Sequence, residues 1–279
     1  MAPGLVRLER SPFIVGNPLP SVIAVALLTA ALGALLAQRA DWAGAHVLAG
    51  LAGYAIVSAA VVVAWRPGRG RVAGFGIANQ VTLLRAGLVC LAGGALPAAG
   101  PPISGWSLAA LVATALCLDG VDGWLARRLR VSSGFGARFD LEIDALLILV
   151  LALLVWQSGR VGPWVLAIGL MRYVFVLAGW RFPALRGPLP PSRRRQTICV
   201  QQGVSLVICL LPPVGIGLAH VSAGLALVAL LASFATDIIY LIRVRESPMA
   251  LGAVDQLTDR AILISTPRAR DPQVCGTRT

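Results

Sequence analysis

The chain has 279 residues, 57% of them hydrophobic and 13% charged, with a formal net charge of +12 and a mean hydropathy of +0.81. That composition excludes an ordinary soluble domain and places the chain among integral membrane proteins. Every basic residue other than histidine is an arginine, and the arginines are dispersed between apolar runs, with no soluble basic module, which excludes nucleic acid as a partner.

A helix needs about 20 apolar residues to cross a bilayer. In chain order, runs at 19–38, 46–65, 80–98, 105–127, 139–157, 161–180, 197–218 and 221–243 predict eight transmembrane helices in an all-α, polytopic protein. The first run lies too deep, is too long and is followed too closely by the second to be a cleaved signal peptide. Residues 1–18 form an N-terminal segment, and 19–65 hold two helices. Residues 66–77, with Arg66-Pro67-Gly68-Arg69-Gly70-Arg71, read as a linker to a six-helix core at 78–245. Residues 246–279 turn polar and read as a tail, in which Ala250 to Ile264 could form a short helix.

Arginine placement orients these helices. Arg7, Arg10, Arg66, Arg69, Arg71, Arg127, Arg128, Arg130, Arg181, Arg186, Arg193 to Arg195, Arg243 and Arg245 fall on one side, against only Arg39 and Arg160 on the other. The positive-inside rule then puts both termini in the cytoplasm. The absence of lysine and the dominance of Ala, Gly, Arg and Leu point to a high-GC bacterial genome, hence to a bacterial inner membrane. Five cysteines show no metal-ligand spacing, and the four in the spans read as small buried apolar residues. His46 and His220 read as interfacial residues.

The chemistry lies between the fourth and fifth runs. Asp119 to Asp144 reads DGVDGWLARRLRVSSGFGARFDLEID, a frame of D-x2-D-G-x2-A-R-x8-G-x3-D-x3-D. At 100° per residue, Asp119, Asp122, Gly123 and Ala126 share one helical face, with Arg127 at its edge, and Gly136, Asp140 and Asp144 share another. The polar stretch RRLRVSSG predicts a tight connection that brings the two faces together. Four carboxylates repel one another, and two divalent cations would neutralise them. Hard oxygen ligands suit Mg²⁺ or Mn²⁺, and two such ions can clamp a displacement at phosphorus. A proton relay or ion transporter is the bland alternative for carboxylates in a membrane, but it does not require the interleaved Gly, Ala and Arg.

This frame resembles the signature of the CDP-alcohol phosphatidyltransferase family at all eight fixed positions. Ala78-Asn79-Gln80-Val81-Thr82-Leu83-Leu84-Arg85 resembles the family's P-N-x-L-T-x-x-R, with Ala78 for proline and Val81 for leucine. The resemblance covers about residues 78 to 245. It implies transfer of a phosphatidyl group from CDP-diacylglycerol to an alcohol with release of CMP. Asp119, Asp122 and Asp140 would hold two metal ions, and Asp144 would be the general base, while also touching a metal. Gly123 and Arg127 would approach the pyrophosphate, and Asn79 and Thr82 the cytidine or ribose. For Asn79 and Thr82 an ordinary helix start is the competing reading. The resemblance also implies a homodimer, and it admits a choline- or ethanolamine-phosphotransferase using a CDP-linked small alcohol.

Three further arginines bear on the acceptor. Arg172 lies inside the sixth run and needs a ligand or a partner, for which Asp237 is one choice. Arg194 and Arg195, in Pro191-Ser192-Arg193-Arg194-Arg195-Gln196-Thr197, loosely resemble the basic start of a core helix in relatives with phosphorylated acceptors, although Gln196 stands where a lysine is expected. Their reading as cytoplasmic anchors stands beside that one. This arginine-rich end favours glycerol 3-phosphate or inositol phosphate as acceptor.

Overall fold

The structure, a computed structural model, describes residues 17–40, 42–65, 75–96, 105–129, 134–182 and 192–246, with backbone alone at 121–129, 134, 193 and 244–246. Among these residues eight α-helices follow one another: α1 (Leu19–Arg39), α2 (Gly44–Ala64), α3 (Ile77–Gly93), α4 (Gly105–Leu129), α5 (Gly134–Gln157), α6 (Leu166–Arg181), α7 (Arg193–Leu210) and α8 (Ile216–Glu246). A 3₁₀ turn at Pro163–Val165 leads into α6. The expected all-α, polytopic architecture is what the chain adopts. Most of the expected N-terminal segment, linker and tail lies outside the described residues.

The exterior is apolar as well as the core. Leu27, Ile56, Val63, Leu225 and Val228 are exposed, and lipid is the solvent that makes such a surface favourable. Four helical stretches are long and apolar enough to cross a membrane: Leu19–Arg39, Gly44–Ala64, Pro163–Arg181 and Ile216–Arg243. The apolar part of α3 is only 17 residues, about 26 Å at 1.5 Å per residue. Helices α4, α5 and α7 carry the charges discussed below.

Local chemistry sets the helix ends. Asn17 Oδ1 accepts the Leu19 N–H at 3.1 Å, and Pro18 precedes the first turn of α1, where a missing N–H costs nothing. The expected seventh span at 197–218 is corrected: α7 stops at Leu210, and Ile216 already belongs to α8. Pro212 and Pro213 remove N–H donors and disfavour helix before them, which a hydropathy run does not register. The carbonyls freed there accept from Arg160, which donates to Cys209 O at 3.0 Å, Leu211 O at 2.6 Å and Pro212 O at 2.9 Å.

The chain divides into two compact units, Met1–Phe175 with Ser192–Ser233, and Val176–Pro191 with Phe234–Thr279. In the first, α3 is the hub: α1, α2, α4 and α5 all pack on it, while α7 packs on α4 and α5. Leu83, Ala86, Val89 and Leu91 of α3 are fully buried. Glycine permits the closest helix approaches: a Cβ at Gly50 would lie 2.8 Å from Leu91 Cα, and one at Gly169 would lie 2.7 Å from Leu149 Cα. The described part of the second unit is the C-terminal stretch of α6 and of α8, where the Arg181 guanidinium lies 5.5 Å from the Phe182 ring centroid.

One expectation about single residues changes. Cys90 and Cys209 are buried and Cys199 is half-buried, but Cys117 is exposed on α4, in the apolar run before Asp119, where periodicity does not distinguish an exposed thiol from a buried one. His46, in the first turn of α2, is buried edge-on to Trp42 at 6.4 Å between ring centroids.

Candidate functional site

The site is built on the hub helix. Gly76 is the N-cap of α3 and offers no side chain to its free N–H groups. Asn79, Thr82 and Arg85 follow at i, i+3 and i+6, so they form one stripe, and all three are buried. Asn79 therefore is not the cap of this helix. Thr82 Oγ1 donates to Ala78 O at 3.1 Å.

Asp119 approaches this stripe from α4, and Asp140 and Asp144 approach it from α5, one turn apart on one face. Each of the three offers a carboxylate oxygen, and these oxygens lie within 4.8 Å of one another. Arg85 sits among them with no exposed side-chain surface. Its Nη1 is 3.0 Å from Asp119 Oδ1 and 2.7 Å from Asp140 Oδ1, and its Nη2 donates to Asp144 Oδ1. The carboxylates keep an opening, with side chains 28%, 40% and 22% exposed for Asp119, Asp140 and Asp144.

Sequence spacing thus correctly brings Asp119, Asp140 and Asp144 together. Asp122 follows Asp119 by one turn of the α4 backbone, but the side chains of Asp122, Gly123 and Arg127 lie outside the described residues. Sequence reasoning noted Arg85 only as the last position of a motif and gave it no role. Its signal was available: an arginine continuing the Asn79–Thr82 stripe of an otherwise apolar helix needs a carboxylate partner.

Formal charge decides what the cluster can hold. Three carboxylates facing one guanidinium leave two negative charges, and Asp122 would add a third. A set of closely spaced carboxylate oxygens with an excess of negative charge fits a divalent cation of the Mg²⁺ or Mn²⁺ kind. Asp119, Asp140 and Asp144 are the described residues that could hold it.

The three acceptor candidates fall in different places. Arg172 of α6 bonds Glu142 Oε1 of α5 at 2.5 Å, where the sequence had offered Asp237. Glu142 sits two residues from both Asp140 and Asp144, hence about 200° around α5, so this pair is separate from the cluster. Arg194 and Arg195 occupy the first turn of α7, half-buried, on a helix that packs on both α4 and α5. His220 is exposed, with its ring 6.2 Å from that of Trp164.

The sequence model of the CDP-alcohol phosphatidyltransferase family matches residues 75–234, more than half of the chain, from the start of α3 into α8. Helices α1 and α2 lie outside the match. No solved structure matches the chain.

Proposed function

The chain belongs to the CDP-alcohol phosphatidyltransferase family, and from that membership we propose that it moves the phosphatidyl group of CDP-diacylglycerol to a small alcohol, releasing CMP. Membership itself carries the coarser statement: an integral membrane transferase with a CDP-alcohol donor, an alcohol acceptor and a general use of divalent cations. The observation that carries the finer reading is the cluster of Asp119, Asp140 and Asp144 around buried Arg85.

Asp119, Asp122 and Asp140, with Asp144 at the edge, would hold two Mg²⁺ or Mn²⁺ ions. Bound there, the cations supply positive charge for the pyrophosphate of the donor. Asp144 accepts the proton of the acceptor hydroxyl as its oxygen bonds to the phosphorus bearing diacylglycerol. The bond from that phosphorus to the CMP oxygen breaks, and CMP leaves with the electron pair. Positioned general-base catalysis contributes about 10²–10⁴-fold. Arg85 keeps Asp140 and Asp144 in register on one face, and its planar fork suits two carboxylates at once. Gly123 lets the pyrophosphate approach the α4 backbone, and Arg127 neutralises it. Asn79 and Thr82, polar and buried beside Arg85 on α3, line the cytidine side.

Arg194 and Arg195 are the phosphate contacts for the acceptor, with glycerol 3-phosphate first and inositol phosphate second. For Arg172, the pairing with Glu142 supports a structural role over contact with the acceptor. The arginine distribution supports both termini and the site on the cytoplasmic side, and the lysine-free, Ala-, Gly-, Arg- and Leu-rich composition supports a bacterial inner membrane. The family resemblance supports a homodimer through the membrane helices.

The test is product identification. Purified protein in liposomes with CDP-diacylglycerol and Mg²⁺ is given glycerol 3-phosphate, inositol phosphate, glycerol, inositol or serine, and lipids are read by mass spectrometry. The expected product is phosphatidylglycerol phosphate or phosphatidylinositol phosphate. No phosphatidyl product with any of these acceptors, alongside turnover of CDP-choline with diacylglycerol, would overturn the donor assignment.

A further inference from the structure

Helices α1 and α2 precede the family-matched region, and α2 borders a groove. Helices α2 and α5 both pack on α3, and between them lies a groove of about 640 Å³. Its walls are Ile56, Val57 and Ala60 on α2 and Phe139, Ile143 and Leu146 on α5. Phe139 and Ile143 are buried in the same cluster as Val61 and Tyr54 of α2, so the floor is part of the protein core. We propose that this groove is a binding site for one anionic phospholipid of the surrounding bilayer, its acyl chain lying between α2 and α5 and its phosphate on Arg138.

Size, depth and charge each support that occupant. The volume lies within the range of about 300–1,000 Å³ typical of small-ligand sites. The lining runs from Ile56 to Ala64 on α2 and from Phe135 to Leu146 on α5. At 1.5 Å per residue these stretches span roughly 12 Å and 16 Å, close to half of a hydrocarbon core about 30 Å thick. A single leaflet's acyl chain has that reach.

The polar groups decide the headgroup. Arg138, Glu142 and Tyr173 are the polar side chains of the lining. Glu142 is already neutralised by Arg172. Arg138 is exposed and pairs with no carboxylate among the described residues, which leaves one net positive charge at the groove. A zwitterionic headgroup would bring its own cation to that arginine, whereas an anionic one would not. The groove lies on α5 beside, not within, the face carrying Asp140 and Asp144, neither of which lines it, so a lipid bound there leaves the carboxylate cluster unoccupied.

The experiment reads lipid retention directly. The full-length protein in detergent is titrated with dioleoyl phosphatidylglycerol or dioleoyl phosphatidylcholine, and bound lipid is counted by native mass spectrometry. The expected result is one tightly retained phosphatidylglycerol, bound about tenfold more tightly than phosphatidylcholine, the size of a charge-assisted hydrogen bond. Arg138→Gln abolishes the preference. Ala60→Trp, a change at an exposed groove position, fills the channel and abolishes retention of both lipids. Circular dichroism and thermal unfolding confirm that both variants are folded. Equal retention of the two lipids by the unaltered protein, a preference that survives Arg138→Gln, or retention unchanged by Ala60→Trp would each overturn the proposal.

Discussion

Replacing Arg85 by methionine tests how the carboxylate cluster is held together. The guanidinium is fully buried and serves Asp119, Asp140 and Asp144 at once. Removing one partner from a buried charge cluster costs about 3–5 kcal/mol, because the remaining charges lose their compensation. Here the carboxylates are 22–40% exposed, so water screens part of that loss and the lower end, about 3 kcal/mol, applies. At roughly 2–4 °C per kcal/mol, the unfolding temperature in EDTA falls by about 6–12 °C. A divalent cation compensates the same carboxylates, and a ligand at 100 times its Kd stabilises by about 2.7 kcal/mol. The gap between the EDTA and Mg²⁺ unfolding temperatures should therefore be wider in Arg85→Met than in the unaltered protein. Arg85→Lys keeps the charge but loses the fork, and it should fall between the two. The assay is thermal unfolding of purified protein in nanodiscs, followed by tryptophan fluorescence with and without Mg²⁺. An Arg85→Met protein as stable as the original in EDTA would refute the idea that Arg85 is the cluster's resident counter-charge.

Other expected outcomes concern the proton, the membrane and the packing. Asp144→Asn keeps the shape of the side chain but cannot take the acceptor's proton, so turnover should fall about 10²–10⁴-fold while CDP-diacylglycerol affinity, read by equilibrium binding, is retained. Loss of both would reassign Asp144 to metal holding. A reporter fused after Arg245 should read cytoplasmic, and one inserted near Pro101 external; the reverse at Pro101 would refute the orientation. Gly50→Ala places a methyl against the Leu91 backbone and should cost about 1–3 kcal/mol, read as a lowered unfolding temperature.

The sequence was informative where chemistry is local and periodic. Helical spacing alone placed Asp140 and Asp144 on one face and opposed them to Asp119. Hydropathy located all eight helices among the described residues, but its bounds overran where the backbone breaks: past Gly93 at the end of α3, before Leu166 at the start of α6, and across the prolines that end α7. What it missed are pairings across helices. Periodicity turns Glu142 away from Asp140 and Asp144 and gives buried Arg85 a need for a carboxylate, but nothing in the order of residues says that Glu142 meets Arg172 or that Arg85 meets three carboxylates at once. Those partners depend on the rotation of α3, α5 and α6 about their axes, which small residues such as Gly50 and Gly169 set by how closely the backbones approach. The groove between α2 and α5 was illegible for the same reason: each wall is an ordinary apolar helix face.

The central claim is that this carboxylate cluster carries metal-dependent phosphatidyl transfer. Its most direct test is CMP release from CDP-diacylglycerol in liposomes as Mg²⁺ is titrated, with Asp140→Ala measured beside the unaltered protein. The account predicts saturable CMP release that requires both Mg²⁺ and acceptor, abolished by EDTA and absent from Asp140→Ala at every Mg²⁺ concentration. CMP release that persists in EDTA, or that Asp140→Ala retains in full, would contradict it.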